Sequence, residues 1–402
     1  MFFYLILLLS MGLAAATVPT ASGVEVNIAD FGAKGDDEMD DTNAFERAME
    51  AAAAAGSTIR LPMGKYVLTR PLKLEFQHLV GLEAGGWNSD HIPMPTLIVG
   101  QTEGPTITLG TGASIHGVAI LDDEHRRMDP HPPAIQVEGQ VILSNVRIQY
   151  PYDGIIFSHA TENGRSNIEN VFIVSPGHDG IHVTITHDIA TLRNIEVWCN
   201  LGFSEGAGFR FRHNDELHAS RLFALACRTG FVFEEEPVKV KQKARAGTYG
   251  TFVDCSTDGC DKGWRVTGWA MLNVLGGDFW NHHAGITLES ELAKVKICGA
   301  DLSSNGQPVV LCDEIASLIV TGCTIGGAPN TKEPYVVLNG AKSAALSGNI
   351  FDERRPAISV EKDVRRCAIT GNIFPSSKGN SVSVDRGEGA RIAISGNVAM
   401  DE

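Results

Sequence analysis

Two aspartates stand directly before a glycine, Asp153 in "PYDGIIF" (151–157) and Asp179 in "PGHDGIHV" (176–183). A pair of carboxyl groups, one protonated and one ionised, is what hydrolysis of a glycosidic bond requires. Two carboxylates held close together push one pKa up and the other down, which separates the acid from the base. His182, three residues after Asp179, adds a group that exchanges protons near neutral pH. The spacing therefore suggests Asp153, Asp179 and His182 as catalytic residues. His178, Arg210, Arg212, Lys262 and Arg265 supply cations suited to holding sugar carboxylates by paired hydrogen bonds. An Asp before Gly is also an ordinary turn former, and Arg210 or Arg265 could instead be a surface partner of Glu205 or Glu234. No Cys/His zinc spacing or calcium loop appears, so no metal ligand set is assigned.

These residues share a site only if the chain winds them together, and a repeat does that. Small residue, apolar, any, apolar returns as "AIQV" (134–137), "GIIF" (154–157), "GIHV" (180–183), "GFRF" (208–211), "GFVF" (230–233), "GWRV" (263–266) and "GITL" (285–288). A second pattern runs in phase, "LSNVRI" (143–148), "IENVFI" (168–173) and "LRNIEV" (192–197), returning later as "LSGNIF" (346–351) and "ITGNIF" (369–374). Two short alternating strands per period are what a stacked solenoid needs, because each coil buries its apolar side only against its neighbours. The expected fold is all-β, a right-handed single-stranded parallel β-helix. Asn145, Asn170 and Asn194 fall at equivalent turns, where they would satisfy backbone groups up and down the stack. Side chains at one repeat position form a column, about 4.8 Å per coil. One such column reads Gln136, Ile156, His182, Arg210, Val232, Arg265 and Thr287, with its ionisable groups in the central coils.

The acidic run "DDEMDD" (36–41) belongs to a different task. It precedes Ala44, Phe45, Ala48, Met49 and Ala52, which lie on one helical face, and Gly56 closes the segment. Asp40, Asp41 or Thr42 can cap that helix, and the helix would cover the open first coil, whose core and strand edges need a lid.

The stretch 26–74 carries a family resemblance. "DFGAKGD", "DDT", the helix ending at Gly56 and "LPMGKYVL" (61–68) resemble the N-terminal signature of the pectate-lyase-like superfamily, the group named for rhamnogalacturonase and epimerase-like proteins. The resemblance implies the β-helix fold and action on polysaccharides, commonly acidic ones. "PYDGIIF" and "PGHDGIHV" are also similar to the polygalacturonase pattern, in which Asp153 matches the first acid and Asp179 the second acid of a pair. His178 stands where that pattern has its other acid, and "EGAGFRF" (205–211) lacks its Gly-His-Gly. "DPH" (129–131) is similar to part of a motif of mannuronan epimerases, without its final Asp.

Composition sets the remaining bounds. The chain has 402 residues, is 43% hydrophobic and carries a formal charge of −15, which argues against a nucleic-acid partner. Residues 1–22 read as a signal peptide cleaved near 16–22, because their apolar run is too short for a membrane span and ends in small residues. Residues 23–402 then form one β-helix domain, with a cap at 26–74 and coils from about 75 to 400. No stable membrane span is expected after cleavage, and the protein is placed outside the cell, in the periplasm or at the surface. Most of the eight cysteines are expected to be small buried side chains. Nothing in the repeats specifies an oligomer.

Three functions are compatible with these residues. The leading one is a secreted glycoside hydrolase that cuts a pectin-like or other uronate-containing polysaccharide. The second is a polysaccharide lyase or epimerase acting at uronate C5, with an Arg or a calcium ion neutralising the carboxylate and His182, an Arg or a Lys as base. The third is a non-catalytic polysaccharide-binding solenoid. No cofactor is expected, with calcium as an option if the reaction is a lyase's.

Overall fold

Runs of three to five residues with alternating apolar side chains cannot form a core alone, and here they are stacked coil on coil. The computed structural model describes residues 23–399, apart from 83–87, 90–91, 101–102, 159–162, 201–204, 236–246, 306–307, 328–332, 352–356 and 376–380. The expected signal peptide and most of the charged insert at 234–247 lie outside the described residues. Among the described residues, no helix is long and apolar enough to cross a membrane.

All strand pairings are parallel, and most join equivalent segments of successive coils. One inward column runs unbroken through Ile135, Ile155, Ile181, Phe209, Phe231, Trp264, Ile286, Val310, Val336, Ile358 and Val382. Its widest part is aromatic. Phe209 stacks on Phe231 at 4.8 Å between centroids and Phe231 on Trp264 at 4.7 Å, all three buried. The outward column also keeps its expected order, with His182 opposite Arg210, Arg210 opposite Val232 and Val232 opposite Arg265.

Each coil has three faces where two strands were expected. The segments Asn167–Val174 and Ala190–Trp198 bend in the middle, at Asn170 and Asn194, whose φ values of 54° and 55° are left-handed. Asn tolerates this conformation better than most residues. The bend turns one run of alternating residues into a second and a third sheet. Its side chains form the ladder expected of them, Asn194 Nδ2 donating to Asn170 Oδ1 at 2.7 Å and Asn170 Nδ2 to Asn145 Oδ1 at 2.9 Å. In the last coils a glycine takes the bend, at Gly348, Gly371 and Gly396, and the next Asn turns inward. Asn349 Nδ2 then donates to Asn372 Oδ1 at 2.9 Å, and Asn372 Nδ2 to Asn397 Oδ1 at 3.0 Å.

The helix Thr42–Ala51 lies at the N-terminal end and buries Ala44, Phe45 and Ala48, with the Phe45 ring edge-on to Tyr66. The acids before it serve structure, though differently from simple capping. Asp36–Asp40 is a strand, and Asp41 at the N-cap makes no side-chain cap bond. Asp41 instead accepts the Lys34 and Gly35 N–H groups at 2.7 and 3.3 Å, while Asp40 accepts the Thr42 N–H at 2.9 Å. Stacking also brings Cys199 and Cys227, just after paired strands of adjacent coils, within 4.7 Å between Cα atoms, where they form a disulfide. The other six cysteines are unpaired, five of them buried.

Replacing Phe231 by Ala opens the centre of the aromatic stack. We expect a loss of about 3–5 kcal/mol in denaturant unfolding, against under about 0.5 kcal/mol for Ile142→Ala at a 53%-exposed position. Equal effects would mean that the aromatic column does not hold the central coils.

Candidate active site

The corner where the third sheet turns back into the first carries one polar residue set per coil. Backbone hydrogen bonds stack these corners. The His178 N–H donates to the Tyr152 carbonyl at 2.7 Å, and the Gly154 N–H donates to the Asp179 carbonyl at 3.0 Å. Residues a full period apart thus become contacts. Asp153 Oδ1 accepts the Asp179 N–H at 2.9 Å and lies 2.8 Å from His178 Nδ1.

Asp179 is withdrawn behind this pair and is fully buried. Its Oδ1 accepts the Ala207 N–H at 2.8 Å, and Arg210 grips both oxygens, through Nε at 2.6 Å and Nη2 at 3.1 Å. Arg210 Nη1 also donates to Glu234 Oε1 at 2.8 Å, and Arg212 Nε donates to that same oxygen at 2.5 Å. His182, on the strand Ile181–Thr186, places Nδ1 3.6 Å from Asp179 Oδ2, and its buried Nε2 has no hydrogen-bond partner among the described residues. Lys262 and Arg265 do not join this group. Arg265 is in the same column but, two coils on, makes a two-pronged ion pair with Glu289 at 2.8 and 3.1 Å.

Three residues that were not among the sequence-based candidates complete the corner: Tyr152, His131 and Asp122. The Tyr152 ring stacks on His178, with centroids 5.4 Å apart and planes 10° apart, and His131 packs against the same ring, tilted by 49°, at 5.8 Å. His131 is pinned at both nitrogens, with Nδ1 2.7 Å from the Asp129 carbonyl and Nε2 2.9 Å from buried Asp122. Arg126 Nη2 donates to the other Asp122 oxygen at 2.9 Å. The loop carrying these residues presses on the His178 turn, and Gly177 allows it. A Cβ there would sit 1.6 Å from the Arg127 carbonyl. The "DPH" resemblance was the sequence signal for His131; Tyr152 had none beyond adjoining Asp153.

The electrostatics follow from burial and pairing. Burial alone would raise the Asp179 pKa, but the Arg210 hydrogen bonds and the neighbouring positive charges hold it below the usual carboxylate range. Glu234 is lowered in the same way by Arg210 and Arg212 against its own burial. Burial pushes His182 down to about 4, so it is neutral near pH 7. His178 is raised by its bond to Asp153, and His131 by its bond to Asp122. Burial, then the charges of Asp153, Asp179 and Glu205, raise the Tyr152 pKa and keep its hydroxyl protonated.

Among the described residues, Asp153, His178 and Asp179 are close enough to share a metal ion. They do not fit calcium, which takes six to eight oxygens. Asp179 is already held by Arg210 and the Ala207 N–H, and Asp153 Oδ1 by the Asp179 N–H and His178.

Comparisons with known proteins agree with this fold. A family model described as "Rhamnogalacturonase A/epimerase, pectate lyase-like" matches residues 25–231. Alginate lyase 7 of Azotobacter vinelandii is 52% identical over 44 residues, which is 11% of this chain and 5% of that protein. The A-module of the mannuronan C-5 epimerase AlgE6, also from Azotobacter vinelandii, is similar with a TM-score of 0.60 at 16% identity, covering 94% of this chain and 99% of the other. The tailspike of E. coli bacteriophage HK620, solved with a pentasaccharide, gives a TM-score of 0.56 at 9% identity over 93% of this chain and 80% of that one. At such identities the structural likeness is one of fold.

Two outcomes follow for stability. Arg210→Met strands a buried carboxylate and should cost about 3–5 kcal/mol, part of which Asp179→Asn in the same chain restores; a single variant as stable as wild type would contradict the pairing. The second concerns pH. The folded pKa of His182, about 4, lies below its reference value of 6.5. As pH falls from 6.5 to 4 the unfolded chain takes a proton that the folded chain refuses, so stability is lost over that window, by roughly 3 kcal/mol. His178 and His131 act in the opposite sense, since their raised values add stability below pH 6.5 that is lost as pH rises through them. His182→Gln should therefore remove the acid-side loss selectively. Parallel stability–pH curves for variant and wild type would contradict the assignment.

Proposed function

The chain belongs to the rhamnogalacturonase A/epimerase, pectate lyase-like family, and on that premise we propose that it is a carbohydrate-active enzyme removing the C5 proton of a uronate residue in an acidic polysaccharide. The outcome is β-elimination, as in a lyase, or return of a proton to C5, as in an epimerase. The observation that carries this reading is the division of labour at the corner. Asp179 is buried and tied to Arg210, while His178 and Tyr152 stack beside it with a base-orienting carboxylate, Asp153.

Charge balance supports the same direction. The hydrogen-bonded acids Asp122, Asp153, Asp179 and Glu234 are matched by Arg126, His131, Arg210 and Arg212. With His178 neutral, this framework has no charge to spare. An arriving uronate carboxylate adds one negative charge, which stabilises the imidazolium that His178 becomes once it has taken the C5 proton. His178, oriented by Asp153, accepts the C5 proton, and the Tyr152 hydroxyl, kept protonated by its surroundings, donates to the leaving oxygen or back to carbon. Arg212, which Glu234 engages through Nε, stabilises with its remaining N–H groups the negative charge that develops on the carboxylate. The activities for which Alginate lyase 7 and the mannuronan epimerase are named, both uronate-directed, support an alginate-like polymer as a substrate to try first.

Hydrolysis is the second reading, favoured by Asp153 and Asp179 standing in adjacent coils. It needs one carboxyl that stays protonated, and Asp179, lowered by Arg210, does not suit that role.

The test is incubation with polymannuronate, polyguluronate and polygalacturonate. Elimination appears as ultraviolet absorbance from a new C4–C5 double bond, and epimerisation as deuterium incorporated at C5 from heavy water. We expect His178→Gln and Tyr152→Phe each to lower turnover by about 10²-fold or more while chelation leaves it unchanged. New reducing ends without unsaturation or C5 exchange, abolished by Asp153→Asn, would replace this reading by the hydrolytic one.

A further inference from the structure

At the C-terminal end, on the opposite corner of the coil where the first sheet turns into the second, four cations surround one hollow. Lys342, Arg365, Arg366 and Arg391, with Gly389, line a cavity of 370 Å³. Arg366 and Arg391 are direct partners on adjacent parallel strands, and the Arg391 N–H donates to the Arg365 carbonyl at 2.8 Å. Like charges placed opposite one another in a sheet repel. Lys342 is paired with Glu291 at 3.2 Å, but among the described residues no carboxylate pairs with Arg365, Arg366 or Arg391. All four cations are exposed. Asp363 and Glu388 lie in the same turns without forming an ion pair with them. Such a concentration of unneutralised arginines stands out on a chain of net charge −15.

We propose that this hollow is a second binding site for an anionic polysaccharide, separate from the His178 corner. The proposal rests on the reading that the chain acts on an acidic polymer. Guanidinium groups bind carboxylates through two parallel hydrogen bonds. Arg366 and Arg391 are one coil apart, about 4.8 Å, which is close to the advance of one pyranose along an extended glycan. Arginines on successive coils thus line the path along which the carboxylates of an extended polyuronate advance. Six coil steps separate the strand Ile181–Thr186 from Val336–Leu338, and Arg366 and Arg391 follow one and two coils later, so the two sites are roughly 35 Å apart along the axis. A long chain held at this end raises its effective concentration at the reacting corner, whereas a short oligomer cannot reach both.

The variant Arg365→Gln/Arg366→Gln/Arg391→Gln tests this, with Arg391→Gln alone as a milder form. Affinity is measured for long alginate, long polygalacturonate and neutral dextran at several salt concentrations, alongside turnover of short uronate oligomers and the melting temperature. The triple variant should bind the long polyuronates at least tenfold more weakly, with a shallower salt dependence, and the single variant should fall between. Short-oligomer turnover should be unchanged, and melting unchanged or raised because repulsion is removed. Unaltered affinity and salt dependence for both polyuronates would overturn the site, and so would a lowered melting temperature, which would make the arginines scaffold. If no uronate polymer is turned over but the triple variant loses binding, this site stands and the proposed reaction falls. Normal turnover with undiminished binding leaves the reaction standing and removes the site.

Discussion

The backbone ladder between successive coils is the constraint on which the rest depends. Each coil donates and accepts hydrogen bonds in parallel register with its neighbours, so every residue's surroundings are set by the residues one period before and after it. The ladder keeps Ile181, Phe209, Phe231 and Trp264 in one column, which excludes water from the central coils. It also leaves no route for a buried polar group to find water, so Asp179 needs the Ala207 N–H and the Arg210 fork as partners.

That constraint explains why the candidate centre is layered. The inner layer is an ion-paired framework of Asp179, Arg210, Glu234 and Arg212, built on three successive coils. The outer layer, Asp153, His178, Tyr152 and His131, lies in the turns, where the chain is free of the strict alternation of a strand. A group inside the framework has its protonation state fixed by its partners. A group in the turns has its proton affinity set by one oriented neighbour, as Asp153 does for His178 and Asp122 for His131. Proton-transfer chemistry suits the second situation better than the first.

Much of this was legible in the residue order. The repeat of small residue and alternating apolar residues identified the coils, the outward column came out in the order the strands show, and the Asn ladder sat where its spacing placed it. Asp153, Asp179, His178, His182, Arg210 and Arg212 do meet. Lys262 and Arg265 do not, because Val232 interrupts the column with an apolar side chain and Arg265 finds Glu289 further on. The three-faced coil was missed because a left-handed residue inside an alternating run leaves the apolar period unbroken. The Cys199–Cys227 bridge and the Tyr152–His131 packing were missed for a related reason, since turns vary in length and carry no period to align.

By itself, then, the order of residues determined the winding, the cap at the N-terminal end and the identity of the polar groups stacked along one corner. These are properties of period, and period is a linear property of a chain. Which of those groups is buried, which oxygen Arg210 occupies and which ring lies against His178 were decided only in three dimensions. Burial and pairing depend on what the neighbouring coils bring to the same height, and a carboxylate's pKa follows from those contacts and not from the residues beside it in the chain.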